Sequence, residues 1–169
     1  DTAISNGTID PEVDFVVVLS CRVPDKTLPL GAESPRSSDD SELSEGGGSM
    51  NLGDALSEVV KTETDPQVRK LSIHVSGCPN SCGQHWTGDF GFYGNARKIE
   101  GREVPFYQMM LGGGYDRDGM LRFGLAVSSL PAKLAPVAAR RVLDHFLVNR
   151  EEGESFRDYV LRFKVAFFK

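Results

Sequence analysis

The sequence predicts an α+β domain in which a mainly antiparallel sheet carries helices packed on one side. Three observations support this fold class. A helical stripe precedes several short β-branched or aromatic segments, two further helical stripes end the chain, and glycine-rich turns separate the central segments. A chain of 169 residues has room for one such domain and an additional segment.

The first part of the chain differs in composition from the rest. Residues 13–19 are apolar and β-branched, which predicts a buried strand within a short N-terminal segment, residues 1–33, of unclear origin. Residues 34–49 contain a single large apolar side chain and end in Gly-Gly-Gly-Ser, so we expect a disordered, flexible linker. The domain itself is predicted to span residues 50–169.

The central elements follow from hydrophobic spacing. Leu52, Leu56 and Val60 lie on one face of a short predicted helix. Eleven of the 18 glycines fall between residues 77 and 124, so the backbone there must turn tightly or approach another segment closely. The predicted strands are 71–75, a strand at 90–93 closed by Gly94 and Asn95, and a pair at 105–111 and 121–127 joined through residues 112–119.

Two helices are predicted to end the chain. Pro131 suits the first turn of a helix whose apolar stripe runs from Ala135 to Leu147. Ser155 and Asp158 form a Ser-x-x-Asp start signal for the second helix, whose apolar face includes aromatic residues up to Phe167.

Charge and composition exclude several classes of protein. Residues 1–49 carry 10 acidic and 3 basic side chains, a net charge of −7, whereas residues 50–169 carry 14 and 16, a net charge of +2. Without a basic stripe we expect no nucleic-acid partner. No run reaches the ~18 apolar residues of a membrane span, and no secretion signal is evident, so we expect no membrane association. Three cysteines, an odd number, favour a reducing compartment and a cytoplasmic location.

The most informative motif is Cys78-Pro-Asn-Ser-Cys82 between two glycines. Two thiols four residues apart on a turn can reach one metal centre, although two ordinary loop cysteines remain an alternative. A zinc site would need two further ligands, and the nearby His74 and His85 lack the usual His-x(3–5)-His spacing. An iron–sulfur cluster is typically held by four thiolates, and this motif supplies two.

The surrounding sequence closely resembles the nitrite/sulfite reductase family, the sirohaem and [4Fe–4S] enzymes. The resemblance rests on Leu71–Gly94, Tyr107–Gly114, Leu130–Lys133 and Glu152–Val160, and it covers residues 50–165. It identifies this part of the chain with the family's C-terminal cofactor-binding domain. The function it implies is the six-electron reduction of nitrite to ammonia or of sulfite to sulfide.

The resemblance also implies cofactors, ligands and partners. The family holds its [4Fe–4S] cluster with a Cys-x5-Cys pair and a later Cys-x3-Cys pair, and the last thiolate also ligates the sirohaem iron. By position, Cys78 would be a cluster ligand and Cys82 the bridging ligand, with Gln84 and His85 close to the cofactor. The amide of Asn80 could hydrogen-bond a cluster sulfur or simply hold the turn. For His85 the alternative is plain surface exposure. The implied partners are the remaining reductase domains or a further subunit, and an electron donor such as ferredoxin or a reductase subunit.

The chain departs from the family pattern at the first cysteine pair. That pair should lie some forty residues before Cys78, but residues 34–49 contain no cysteine, and Cys21 stands alone in a different local sequence. Two hypotheses follow. The domain is either part of an oxidoreductase whose missing half is supplied elsewhere, or a cofactor-free remnant that acts as a binding or interaction module. In both cases we expect the isolated chain to be inactive.

Overall fold

Among the residues that the structure describes, the fold comprises seven strands and three α-helices. The computed structural model of this chain describes the backbone of residues 17–20 and 49–51, and both backbone and side chains of residues 52–169. The helices are α1 (Ser49–Lys61), α2 (Ala135–Asn149) and α3 (Phe156–Phe163). The strands are β1 (Val17–Ser20), β2 (Ile73–Ser76), β3 (Phe90–Ile99), β4 (Arg102–Leu111), β5 (Gly114–Tyr115), β6 (Leu121–Arg122) and β7 (Leu125–Pro131).

Five strands form one sheet in the order β1-β2-β3-β4-β7, and β5 pairs with β6 in a separate ribbon. The β1–β2 and β2–β3 pairs are parallel, whereas β3–β4 and β4–β7 are antiparallel. The predicted α+β fold class is confirmed, and the main sheet is mixed, not purely antiparallel. A parallel pair needs a crossover of about a dozen residues or more, and residues 77–89 form that crossover between β2 and β3.

The helices cover one face of the sheet, as predicted. Apolar side chains from α1, α2 and α3 meet alternate residues of the strands in one buried cluster. Among its fully buried members are Leu56, Phe92, Phe146 and Tyr159. The crossover carrying the two cysteines lies on the other face, since it packs on Gly91, which lies between the core residues Phe90 and Phe92 of β3.

Several strand boundaries differ from the sequence prediction, most of all the end of β3 and the start of β7. Gly94 and Asn95 do not close β3, because a continuous antiparallel ladder with β4 runs from Phe90 opposite Leu111 to Ile99 opposite Arg102. The hairpin turns instead at Glu100 and Gly101, whose φ values of 50° and 80° suit a tight hairpin connection. Residues 121 and 122 belong to the small ribbon, and the strand that pairs with β4 begins at Leu125.

The helix starts were predicted with mixed success. Ser155 caps α3 as expected, since its hydroxyl accepts the backbone N–H of Asp158 at 3.1 Å. Pro131 does not lie in the first turn of α2 but ends β7, and Pro136 occupies the first turn instead. The predicted linker at residues 34–49 and the start of the predicted strand at 13–16 lie outside the described residues, except for Ser49, which begins α1.

Candidate functional site

Residues 77–88 form a loop, called here the cysteine loop, that lies directly on the sheet. Two glycines make this close approach possible. A Cβ atom on Gly91 would lie 1.9 Å from the carbonyl oxygen of His85, and one on Gly113 would lie 2.6 Å from that of Trp86. Any side chain at these positions would collide with the loop backbone, which explains the local demand for glycine.

Backbone hydrogen bonds fasten the second half of the cysteine loop to neighbouring segments. The N–H of Gly124 donates to the carbonyl of Trp86 at 2.7 Å, and the N–H of Gly113 donates to that of Gly88 at 3.0 Å. The Nδ1 atom of His74 lies 3.0 Å from the carbonyl oxygen of Gln84. His74 is thus a packed strand residue that supports the loop.

A buried serine fastens the part of the loop that follows Cys82. Ser76, at the end of β2, is almost completely buried, and its hydroxyl accepts the backbone N–H of Gly83 at 3.2 Å. The same hydroxyl lies 2.9 Å from Nδ1 of His85. While it accepts from Gly83, the hydroxyl can either donate its own proton to Nδ1 or accept one from it, according to the tautomer of His85. Ser76 was not singled out by the sequence, since a serine in a strand carries no distinctive signal.

The backbone on both sides of Cys82 adopts an unusual conformation. Ser81 and Gln84 have φ values of 60° and 51°, in the left-handed region that non-glycine residues rarely occupy. The N–H of Gln84 donates to the carbonyl of Ser81 at 2.8 Å and so closes a tight turn around Cys82. Such conformations persist only where the surrounding structure imposes them, and they concentrate at functional sites.

The two thiols lie at the outer surface of this fastened loop. Cys78 is partly buried, Cys82 is exposed, and both are free thiols. Asn80 and Gln84, the other predicted cofactor neighbours, are exposed on the same loop. The loop therefore presents two thiols and two amides to whatever covers this face.

His85 lies beneath the loop instead of on the surface. Its side chain is fully buried, which excludes the alternative of plain surface exposure. Its ring stands 4.8 Å from that of Tyr93 and 5.3 Å from that of Trp86. Burial, with a smaller contribution from nearby His74, holds the pKa of His85 below its usual range and so favours the neutral imidazole. Its Nε2 atom is buried and has no hydrogen-bond partner among the described residues.

Asp89 anchors the far end of the loop and was not predicted. Its carboxylate accepts the N–H and the hydroxyl of Ser72 at 2.8 and 2.9 Å, and its own N–H donates to the Ser72 hydroxyl. Burial raises the pKa of Asp89 in spite of these bonds. Beside it opens a cavity of about 620 Å³ that His74, Gln84 and Thr87 help to line.

The donor set fits one half of an iron–sulfur site. Within the part of the chain that the structure describes, no group of three or more His, Cys, Asp or Glu side chains could hold a metal ion. Two thiols on one loop are suitable ligands for iron, but a [4Fe–4S] cluster is typically held by four. The same part of the chain has no helix with the length and apolar character that crossing a bilayer requires.

The fold and the loop together define an α+β domain that presents a pair of thiols opposite its helices. No family model matches the chain. It is 32% identical to the sulfite reductase [NADPH] hemoprotein beta-component of Bacillus subtilis over 114 residues. This match covers 66% of this chain and 18% of that protein. It is 31% identical over 99 residues to the assimilatory ferredoxin-dependent nitrite reductase of Haloferax mediterranei, covering 58% and 17%.

A solved structure shares the fold. The NirA protein of Mycobacterium tuberculosis superimposes with a TM-score of 0.56 at 25% identity, over 71% of this chain and 22% of that one. The chain thus contains a domain of the nitrite/sulfite reductase family. It spans less than a fifth of the length of these two curated relatives.

Proposed function

We propose that this domain is one half of the cofactor site of a sirohaem- and [4Fe–4S]-dependent nitrite or sulfite reductase. Cys78 and Cys82 would ligate the cluster, and Cys82 would also ligate the sirohaem iron. The observation that carries this proposal is the cysteine loop, in which Cys82 is exposed and Cys78 is partly buried while Ser76 and the glycines of the sheet fix the backbone. When bound, the cofactors would supply the electron storage and relay that no amino-acid side chain can provide.

The remaining site residues contribute in different ways to this proposal. Asn80 and Gln84 are exposed beside the thiols, so their amides are free to donate hydrogen bonds to cluster sulfur or to a haem substituent. His85 is buried beneath the loop, and its bond to Ser76 makes it a positioning residue for Cys82.

Reduction of nitrite or sulfite would require the rest of a reductase. Two thiolates leave two iron sites of a cluster without protein ligands, and the curated relatives are more than five times as long as the region they share with this chain. Sirohaem carries eight carboxylates, whereas residues 50–169 have a net charge of only +2. The partners would be the remaining reductase domains and an electron donor. The names of two relatives specify NADPH and ferredoxin, respectively. A cytoplasmic location stays a prediction from the cysteine content.

The test is anaerobic reconstitution of the 169-residue chain with iron, sulfide and a reductant. We expect visible absorption and acid-labile sulfide that are lost in Cys78→Ser and in Cys82→Ser. Cys21→Ser is the matched control and should retain both signals. Equal iron binding by all four proteins would contradict the site. With sirohaem added, turnover by the chain alone that disappears in Cys82→Ser would contradict the need for the remaining domains.

The small number of thiol ligands favours a second candidate function. Because only two suitable thiols are found in the described residues, the domain could have lost its cofactors and persist as a binding or interaction module. Reconstitution separates the two functions, since a module without cofactors would bind no iron through Cys78 and Cys82 yet would still associate with a protein partner.

A further inference from the structure

Five large apolar side chains are exposed beside the cysteine loop. They form a surface called here the hairpin patch: Trp86, Tyr115, Met120, Leu121 and Phe123. Tyr115 and Phe123 are the most exposed of them, at 76% and 64%. Single exposed apolar residues are ordinary, but a group of this kind on one side of a small domain marks an interaction surface.

The patch meets the cysteine loop in two places: Tyr115 and Leu121 line the same cavity as Gln84 and Thr87, and the ring of Phe123 lies beside that of Trp86. Tyr115 and Leu121 are directly paired across the β5–β6 ribbon, so their side chains share a face. The rings of Phe123 and Trp86 are 6.0 Å apart, and Trp86 follows Cys82 by four residues. The hydrogen bond from Gly124 to the Trp86 carbonyl joins the base of the ribbon to the loop.

The ribbon is held in a defined conformation. The carboxylate of Asp116 accepts the backbone N–H groups of Asp118 and Met120 at 3.1 and 2.9 Å, and Arg122 donates to it at 2.6 Å. Together these bonds tie the tip of the ribbon to its returning strand. The apolar residues are therefore presented on an ordered hairpin, which reduces the entropy lost when a partner binds.

We propose that the hairpin patch is the docking surface for the remaining part of a nitrite/sulfite reductase, the polypeptide that brings the other two cluster thiolates. This inference rests on the proposed function. A cluster held by two polypeptide segments lies at their interface, so a partner that reaches Cys82 also covers the neighbouring Trp86. The curated relatives have more than four fifths of their length outside the matched region, which is ample for such a partner.

The experiment uses the full chain with Cys78→Ser and Cys82→Ser, so that no cluster takes part. The partner probe is the Bacillus subtilis hemoprotein beta-component without its matched 114 residues, with its folding checked by circular dichroism. Trp86 is the only tryptophan of the chain, so labelling the chain with 5-fluorotryptophan gives one ¹⁹F resonance that reports on the patch. Calorimetry measures the affinity.

We expect the ¹⁹F resonance to shift on mixing, and Phe123→Asp or Tyr115→Asp each to weaken binding at least about tenfold. The matched control is Val148→Asp on α2, where an 82% exposed apolar residue lies outside the patch. It should bind within about twofold of the parent chain. Circular dichroism of each variant verifies its fold.

The proposal would be overturned by the absence of binding to the parent chain or by an unshifted ¹⁹F resonance. It would also be overturned if both patch variants bound the partner as tightly as the parent chain does. A shift that depends on the concentration of the chain alone, and that Phe123→Asp abolishes, would assign the patch to a second copy and overturn it as well. Because the cysteines are absent, these outcomes are independent of whether Cys78 and Cys82 bind iron.

Discussion

The two faces of the sheet are covered by different means. On the helix face, large side chains from three helices interlock with alternate strand residues, and Phe146, Tyr159 and Leu56 are fully buried there. On the loop face, the loop backbone lies directly on glycine, donates a hydrogen bond to Ser76 and accepts hydrogen bonds from Gly113 and Gly124. Burial of apolar area stabilises the first face, and steric fit with polar pairing stabilises the second. Because the loop is held through its backbone, its side chains do not have to pack on the sheet and can bind ligands.

The largest expected effect comes from the helix face. Phe146→Ala removes a fully buried ring that contacts Phe156 and Tyr159. We expect a loss of about 3–5 kcal/mol in the free energy of unfolding, because a cavity remains in the core. Denaturant unfolding followed by circular dichroism measures it. Val148→Ala on the exposed side of the same helix is the control, and equal losses in both variants would contradict this account of the core.

The loop face is tested by adding one methyl group. Gly91→Ala places a Cβ atom against the carbonyl of His85, so the loop must move off the sheet. We expect the free energy of unfolding to fall by about 1–3 kcal/mol and the amides of residues 77–88 to exchange hydrogen faster. Gly124→Ala is the matched control, since the nearest atoms to its Cβ lie 3.4 Å away. If exchange in the loop is unchanged in Gly91→Ala, the close approach does not hold the loop.

A polar deletion sharpens the same comparison. Ser76→Ala leaves the N–H of Gly83 and Nδ1 of His85 without the partner that this hydroxyl provides. We expect the free energy of unfolding, measured by thermal unfolding, to fall by about 1–2 kcal/mol. Ser57→Ala serves as control, because the Ser57 hydroxyl donates only to the Gly53 carbonyl within the same helix, α1. If Ser76→Ala lowers the free energy of unfolding no more than Ser57→Ala does, the Ser76 hydroxyl does not fasten the loop.

The smallest expected effect is a dependence on pH. The folded state holds His85 neutral with a lowered pKa, whereas in the unfolded chain the group titrates near 6.5. As pH falls below about 6.5 the unfolded chain takes up a proton that the folded state resists, so stability decreases by at most about 1.4 kcal/mol per pH unit. His85→Gln should remove this part of the slope between pH 6.5 and 5. Identical slopes in the two proteins would mean that His85 titrates freely in the fold.

Much of the fold and part of the site could be predicted from local sequence. The stripes of α1 and α2, the Ser155 cap of α3, and the glycine demand between residues 77 and 124 are encoded by neighbours a few positions apart. The thiol pair was recognised because Cys78 and Cys82 belong to one short motif.

Only the tertiary structure decided how distant segments meet. The parallel pairing of β2 with β3 and the extension of β3 through Gly94 depend on partners far along the chain. The burial of His85 depends on which face of the sheet receives the loop, and the hairpin patch exists because Phe123 folds back onto Trp86. Periodicity within one segment specifies a helix or a strand. The partner that it meets is selected by close packing and hydrogen bonding across the whole domain.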